Sequence, residues 1–231
     1  MLEFVCALAA FIVSHRLPTT PSVRQWLVTR LGEKLYLSLY GLVSLGIVAW
    51  LISAAVRAPT IVIWHFQTWQ AVVPLVLMPV AMVLFLASAL SPNPLSVSLR
   101  PASGASELSA VVSITRHPIL WAFAFWALSH LIANGDFVAI ILFGGLGLFA
   151  IAGMLILDRR TKRRLGLDEW NRLADPTSIL PFGAILAGRS RLKPDRHLIA
   201  GLIAGLAVYV WFLFQGHELI TGIDPLWWAM P

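Results

Sequence analysis

The feature that most constrains this chain is an uncharged stretch at residues 35–56, long enough for one helix to cross the hydrocarbon layer of a membrane. A spanning helix takes about 20 apolar residues, and further apolar runs approach that length. Hydrophobic residues make up 58% of the chain and charged residues 12%, whereas a soluble domain carries roughly twice that share of charge. The sequence predicts an all-α, polytopic membrane helix bundle, one domain over residues 1–231, with about six transmembrane spans near residues 2–15, 35–56, 71–90, 118–133, 137–157 and 197–214.

The positive charge of the chain is concentrated in one hydrophilic stretch. The net charge is +6, and ten of the 17 Lys and Arg residues lie between Arg159 and Arg196. That concentration is typical of a cytoplasmic loop, or of a surface that meets anionic headgroups, so we expect a lipid bilayer and no nucleic acid as partner. The first, third and fifth loops carry four, two and ten basic residues, against one and none in the second and fourth. This bias predicts that both termini lie on the non-cytoplasmic side.

Histidines are the polar residues that point to a site. His15, His117, His130 and His217 lie in or at the ends of apolar spans, where an imidazole is costly without a partner, a pore or a metal. Carboxylates fall only at span ends, which argues against a transporter built on buried acids, and the one cysteine, Cys6, excludes a multi-cysteine metal site. Zinc would need three or four histidines together, whereas haem needs one or two axial ligands. A histidine-held haem and a buried histidine bonded to a Ser or a backbone carbonyl both stay open at this point.

Spacing separates two of these histidines. His117 and His130 are 13 residues apart, which places them ~20 Å apart along one helix and on roughly opposite faces. They cannot both ligate one metal, so a bis-histidine haem would take one of them and a histidine from another helix, such as His15. With the first span starting at Met1 and the fourth at Pro118, His15 and His130 differ in depth by ~9 Å. Spacing alone therefore leaves their pairing open.

A series of motifs follows in order over most of residues 1–190. They are Ser14-His15, Leu31-Gly32-Glu33-Lys34, Ser91-Pro92-Asn93-Pro94, Ile114-Thr115-Arg116-His117-Pro118, Ala127-Leu128-Ser129-His130-Leu131 with Asn134-Gly135-Asp136, Asp158-Arg159-Arg160, and Thr177-Ser178-Ile179-Leu180-Pro181-Phe182. With these motifs the chain resembles the NnrU family of bacterial membrane proteins and, through it, the plant and cyanobacterial zeta-carotene isomerases.

The resemblance implies a protein of six or seven helices in a bacterial inner membrane. By resemblance to the isomerases, His15 and His130 would be the axial ligands of haem b, and His117 is the candidate catalytic or substrate-side residue. Arg116 would meet a haem propionate, since a guanidinium bonds a carboxylate bidentately. A redox or isomerase activity is implied as well, in nitrite and nitric oxide metabolism (denitrification) or in cis–trans isomerisation of a carotenoid. The partners would be an apolar small-molecule substrate and a membrane redox partner.

Two alternatives come from other functional classes. Arg116-His117-Pro118 is also similar, more distantly, to membrane methyltransferases that act on isoprenylcysteine or phospholipid. In those proteins this region and a downstream acidic pair hold S-adenosylmethionine, and the acidic pair is not clearly present after the fifth span, which is followed by Asp158-Arg159-Arg160. The other alternative is a non-enzymatic accessory factor of a membrane complex, in which the histidines are structural.

Proline and glycine predict how the spans pack. Pro74 and Pro79 in the third span predict kinks, with the freed carbonyls bonded by neighbouring helices. The fifth span is predicted to present a face that neighbours approach closely, formed by Gly144, Gly145, Gly147 and Gly153.

Overall fold

The computed structural model describes residues 1–18, 20–100 and 108–229, and over these ranges the chain is helical, with no β-strand and one isolated bridge between Val62 and Asp136. The helices are α1 Leu2–Arg16, α2 Pro21–Leu31, α3 Glu33–Val56, α4 Thr68–Leu90, α5 Ala110–Ile114, α6 Pro118–Ala133, α7 Phe137–Leu165, α8 Leu167–Ala174, α9 Gly183–Leu186 and α10 Arg196–Thr221. Five residues of α7 and five of α10 have π-helical hydrogen bonding, at Ile140–Gly144 and Phe212–Gly216.

The predicted all-α membrane architecture is confirmed, with an adjustment to the number of spans. Within the described ranges, four helices are long and apolar enough to cross a membrane: α3, α4, α7 and α10. A fifth span is counted if α1 and α2 are taken as one, although the two are bent by 77°. Helix α6 is apolar but has only 16 residues. The prediction of six spans is therefore approximate, because two of the predicted runs form helices shorter than a full crossing.

The chain divides into two compact units. The first unit consists of Met1–Trp64 and Asp136–Leu142, and the second of His65–Gly135 and Phe143–Pro231. In the first unit, α1 packs against α3 and buries one helical face made of Phe4, Ala7 and Phe11. The Glu3 carboxylate accepts hydrogen bonds from Arg57 at 2.6 Å and from the indole of Trp50 at 3.2 Å.

In the second unit, α4 packs between α6 and α10, and α7 packs on the other side of α6. Two prolines lie inside α4, Pro74 and Pro79. A proline removes the N–H that would bond the carbonyl four residues earlier, which for Pro79 is the carbonyl of Leu75. The Tyr209 hydroxyl of α10 donates to that oxygen at 3.1 Å. The expectation that a neighbouring helix bonds the freed carbonyl is confirmed at Pro79.

The closest approach made by a glycine lies in a different helix from the predicted one. A Cβ atom built on Gly205 of α10 would lie 2.7 Å from the Cα of Val83 in α4, and one on Gly201 would lie 2.3 Å from the Cα of Ala87. In α7, a Cβ at Gly147 meets its nearest atom at 3.4 Å, and Gly145 has nothing within 4 Å. The predicted glycine face of the fifth span is thus looser than the α4–α10 contact, where only a hydrogen fits between the backbones.

Candidate functional site

Helix α6 carries a histidine at each end. His117 is its N-cap residue, with φ −122° and ψ 59°, and is followed by Pro118, which suits the first helical turn because it has no N–H to lose. His130 lies in the last turn of the helix. The 13 intervening steps place the two imidazoles ~20 Å apart along the axis. The structure therefore agrees with the prediction that one helix serves two separate levels.

The first level is a buried polar cluster that we call the Arg116 cluster, made of Ser96, Arg116, His117, Asp158 and Thr177. The two imidazole nitrogens of His117 lie 2.7 Å from the Ser96 hydroxyl (Nδ1) and 2.9 Å from Asp158 Oδ1 (Nε2). Arg116 donates from Nη1 to Asp158 Oδ2 at 2.5 Å and from Nε to Thr177 Oγ1 at 2.8 Å. The His117 side chain is 0% exposed, against 11% for Arg116 and 14% for Asp158.

Hydrogen bonds to other segments hold Thr115 and Arg116, the residues just before His117, in place. Thr115 is extended, with φ −154° and ψ 147°, and its hydroxyl donates to the carbonyl of Ile179 at 2.8 Å. The N–H of Arg116 donates to the carbonyl of Ser178 at 2.8 Å, and its own carbonyl accepts from the Asn93 side chain at 3.0 Å. Residues that the sequence showed only as separate motifs are thereby brought to one place.

The Arg116 guanidinium is already engaged within the protein. Its Nη2 donates to the carbonyl of Ala174 at 3.3 Å, its Cζ lies 4.9 Å from the Trp170 ring centre, and its other two nitrogens bond Thr177 and Asp158. All three nitrogens therefore have an acceptor. The prediction that Arg116 meets a haem propionate stays a prediction, and a propionate would have to share the guanidinium with Asp158.

The second level is an aromatic cluster around His130, which we call the His130 cluster: Trp126, Ser129, His130, Phe143 and His217. The His130 ring centre lies 5.1 Å from that of Phe143, 5.4 Å from that of Trp126 and 6.3 Å from that of His217. His130 Nδ1 lies 2.8 Å from the Trp126 carbonyl oxygen, and 3.2 Å from the Ser129 hydroxyl, which donates to the same carbonyl at 2.9 Å. Among the residues that the structure describes, the hydrogen-bond partners of the His130 imidazole all lie at Nδ1.

His15 has the same local arrangement in the first unit. Its Nδ1 lies 2.9 Å from the carbonyl oxygen of Phe11, and the Ser14 hydroxyl lies 3.3 Å from that nitrogen and donates to the same carbonyl at 3.0 Å. The ring centre of Tyr40 is 6.1 Å from that of His15. Both histidines thus end a pattern of aromatic, two apolar residues, Ser and His, in which a carbonyl-bound Nδ1 fixes the orientation of the ring.

That repeated pattern was missed at the sequence level, although it could have been found. Residues 11–15 read Phe-Ile-Val-Ser-His and residues 126–130 read Trp-Ala-Leu-Ser-His. On a helix, the carbonyl four residues before a histidine lies about one turn below it, so the bond is local, and the repeated aromatic and Ser-His residues carry the signal. The partnership of Asp158 with Arg116 and His117 was also missed. At the sequence level, Asp158 belongs to the Asp158-Arg159-Arg160 motif after the fifth span, where the acidic pair of the methyltransferases is expected, and no partner is predicted for it.

No group of three or more His, Cys, Asp or Glu side chains within the described ranges is arranged to hold a metal ion. That finding applies to ions such as zinc, which need three or four protein ligands. Haem iron needs only one or two axial ligands from the protein, so the haem prediction stays a prediction.

The apolar helices and the two side-chain clusters define a multi-pass helical membrane protein with histidines at two levels. The chain belongs to the NnrU family: the family model described as "NnrU protein" matches residues 3–225. The motifs on which the resemblance was based lie within that range.

Two plant proteins are similar to part of the chain. The 15-cis-zeta-carotene isomerase of Zea mays is 35% identical over 89 residues, which is 38% of this chain and 24% of that protein. The isomerase of the same description from Arabidopsis thaliana is 33% identical over 87 residues, or 38% of this chain and 23% of that protein. The match spans about a quarter of these relatives, both described as chloroplastic. No solved structure is significantly similar.

Proposed function

We propose that this protein binds haem b with His130 as an axial ligand, and isomerises a cis double bond in a long apolar polyene taken from the bilayer. The observation that carries the proposal is the shared geometry of His130 and His15, in which Nδ1 of each is bonded to the carbonyl four residues earlier. A metal-ligating histidine almost always has its other ring N–H held in this way.

The residues around His130 suit a haem ligand. The aromatic rings of Trp126 and Phe143 flank the imidazole, and Nδ1 is occupied by the Trp126 carbonyl, so the tautomer with a proton on Nδ1 presents Nε2 as the basic nitrogen. His15 is the second ligand that the family resemblance implies, and its Nδ1 is held alike. Because neutral imidazole is a good ligand for iron, both side chains have the chemistry that an axial position needs.

Bound haem would supply a redox-active iron beside the double bond. The protein's own contribution is to orient the imidazole through the Trp126 carbonyl, and to exclude water with an α6 that is apolar over its length. Phe123 and Leu128 are 47% and 45% exposed on α6 and give it an apolar surface that meets lipid chains. A polyene dissolved in the bilayer could approach along such a surface without crossing an aqueous layer.

His217 is the alternative partner of His130. The two ring planes are inclined by 25° with centres 6.3 Å apart, and Nδ1 of His217 lies 2.7 Å from the carbonyl oxygen of Ile223. Both rings are therefore oriented by a backbone carbonyl within the second unit. The family resemblance favours His15, and the two possibilities are separated by the spectra of single variants.

The remaining expectations concern membrane orientation, metabolic role and the other functional classes. The excess of basic residues in α7 and the segment that follows it supports both termini on the non-cytoplasmic side of a bacterial inner membrane. A role in nitrite or nitric oxide metabolism, a membrane redox partner and a purely accessory role stay predictions that no contact in the structure favours. Methyl transfer is also not favoured, since the Arg116 and His117 side chains are both bonded to Asp158.

The test is the visible spectrum of the purified full-length protein after expression with added haem, in the oxidised and reduced states. We expect a Soret band with the spectrum of a six-coordinate, bis-histidine haem. His130→Ala should abolish that low-spin spectrum, and His15→Ala should change it to a five-coordinate one. His65→Ala, at an exposed position, is the matched control and should leave the spectrum unchanged.

One outcome would overturn the proposal, and another would change its second ligand. Absence of any Soret band in the folded wild-type protein would overturn haem binding. A five-coordinate spectrum in His217→Ala, together with an unchanged spectrum in His15→Ala, would assign the second axial position to His217 instead. Once haem is bound, conversion of a cis polyene, followed by chromatography, tests the isomerase step separately.

A further inference from the structure

We propose that Ser96 is an activated nucleophile, with His117 as its general base, at a second site that accepts acyl esters or thioesters. The site lies at the opposite end of α6 from His130 and does not depend on haem. It rests on a continuous hydrogen-bonded chain: Ser96 Oγ to His117 Nδ1 at 2.7 Å, then His117 Nε2 to Asp158 Oδ1 at 2.9 Å.

The positions of the protons along this chain follow from charge. Asp158 accepts a 2.5 Å hydrogen bond from the Arg116 guanidinium, and an ionised carboxylate can only accept. His117 Nε2 must therefore carry the hydrogen that lies between it and Asp158. In a neutral imidazole the other nitrogen then has a free lone pair, so Nδ1 accepts and the Ser96 hydroxyl donates.

This arrangement is the one that activates a serine. A nucleophile within hydrogen-bond reach of a base, which is itself oriented by a third group, is the general signature of nucleophilic catalysis. The ring nitrogens are used in the reverse order from the serine-protease triad, where Nε2 faces the serine. The chemistry requires only that one nitrogen accepts the proton while the other is held by the carboxylate, and both conditions are met at His117.

Neighbouring serines in the same loop are bonded differently. The Ser91 hydroxyl donates to the carbonyl of Ala87 at 2.7 Å, and the Ser98 hydroxyl donates to the carbonyl of Arg100 at 2.8 Å. Both are thus used to satisfy backbone oxygens, as is usual for loop serines. Ser96 differs in that its hydroxyl faces the basic nitrogen of a fully buried imidazole.

The exposure of the side chains suits catalysis, because the base is buried and the nucleophile is partly open to solvent or lipid. His117 is 0% exposed, Ser96 is partly exposed, and the next residue, Val97, is 37% exposed. In α/β-hydrolases the N–H of the residue after the nucleophile helps to stabilise the oxyanion, and the corresponding donor here would be the N–H of Val97. Leu99, three residues after Ser96, is 65% exposed, so the loop that carries Ser96 presents apolar side chains that suit an acyl chain.

The reaction would have two steps, acylation of Ser96 and hydrolysis of the acyl-serine. Ser96 Oγ attacks the acyl carbonyl carbon while its proton passes to His117 Nδ1, and the resulting imidazolium is stabilised through Nε2–H by Asp158. The bond from the carbonyl carbon to the leaving alcohol or thiol then breaks, and the leaving group takes the proton from Nδ1. Water attacks the acyl-serine with His117 again as base, which releases the carboxylic acid and restores Ser96.

The test is covalent labelling of the full-length protein in lipid nanodiscs with an alkyl fluorophosphonate, read by mass spectrometry. We expect one adduct, on Ser96, that is lost in Ser96→Ala and in His117→Gln and retained in Ser98→Ala. No adduct on the wild-type protein, or an adduct that persists in Ser96→Ala, would overturn the proposal.

A second measurement avoids removal of the buried histidine. In a Cys6→Ser background, which lacks other cysteines, Ser96→Cys and Ser98→Cys are compared for alkylation by iodoacetamide between pH 6 and 8. A thiol beside a base is deprotonated at lower pH, so position 96 should react at least tenfold faster than position 98 at pH 7. Equal rates at the two positions would contradict an activated site.

Discussion

His117 Nε2 lies 2.9 Å from Asp158 Oδ1, although the two residues are 41 positions apart in the chain. The bond connects the first residue before α6 to the part of α7 that follows its apolar run. Asp158 meets Arg116 with its other oxygen, so one carboxylate neutralises one cation and orients one imidazole. This explains how a buried histidine and a nearly buried arginine are tolerated next to each other.

Asp158→Asn is expected to destabilise the protein by about 3 kcal/mol, because removal of one partner leaves the Arg116 charge uncompensated in a largely buried place. Unfolding of the purified protein by denaturant in mixed micelles measures this change. The matched control is Asp168→Asn, an exposed position in the first turn of α8, which should change stability by less than about 1 kcal/mol. Similar losses in both variants would show that the Arg116 cluster does not bury its charge.

Ser129→Ala is expected to lower the reduction potential of bound haem. The Ser129 hydroxyl and His130 Nδ1 share the Trp126 carbonyl, so removal of the hydroxyl strengthens the remaining bond and makes the imidazole a stronger donor. A potentiometric titration of the haem bands measures the shift. Ser113→Ala removes a comparable bond to the Ala110 carbonyl with no histidine involved and should leave the potential unchanged, whereas equal shifts would argue against the mechanism.

Gly205→Ala is expected to destabilise the second unit by about 1–3 kcal/mol, the usual range for overpacking. The new Cβ would lie 2.8 Å from the backbone nitrogen of Val83, so α4 and α10 would have to separate. Thermal unfolding followed by size-exclusion chromatography measures the effect. Gly46→Ala in α3, where no atom lies within 4 Å of the added carbon, should be neutral or stabilising; a loss there as large as at Gly205 would mean that the close approach is not the cause.

Tyr209→Phe tests the bond to the carbonyl freed by a proline. Loss of the hydroxyl that donates to Leu75 should cost about 0.6 kcal/mol, the mean for hydrogen bonds between membrane helices. Pro79→Ala restores an N–H within α4 for the same carbonyl, so in that background Tyr209→Phe should cost almost nothing. A double-mutant cycle with no coupling between the two positions would refute this account of the kink.

Asp195 is expected to make the free energy of unfolding decrease at acid pH. Burial raises the pKa of its carboxyl, but hydrogen bonds from the N–H groups of Ala110 and Leu198, each 2.8 Å long, more than offset this and lower the pKa below its usual value. Because the pKa of Asp195 is lower in the folded state, its carboxylate stabilises the fold above the unfolded-state pKa of ~3.9. This stabilisation is lost as the pH falls through the folded-state pKa.

The comparison of wild type with Asp195→Ala measures that contribution. At pH 7 the difference in unfolding free energy should be about 1 kcal/mol, as for other N-cap residues, and it should shrink below pH ~4. A difference that is constant from pH 7 to pH 3 would show that the charge of the carboxylate is not involved.

The sequence alone predicted the long apolar helices of this protein and the separation of His117 from His130. A long apolar run must form a helix in a bilayer, because a helix satisfies its backbone hydrogen bonds internally and hydrocarbon offers no other partner. Helix geometry likewise puts His117 and His130 at opposite ends of α6, because a rise of ~1.5 Å per residue over 13 residues separates them by ~20 Å. The repeated Ser-His pattern was equally local and could have been found.

Only the tertiary structure decided which residues meet. Ser96, His117 and Asp158 come from three separate segments, and no period in the sequence links a loop serine to a carboxylate 62 positions later. The same holds for Gly205 against Val83, because the approach of two helices depends on how all their side chains pack, not on where glycines are most frequent. Contacts between distant segments are set by mutual shape and charge, which local propensity does not encode.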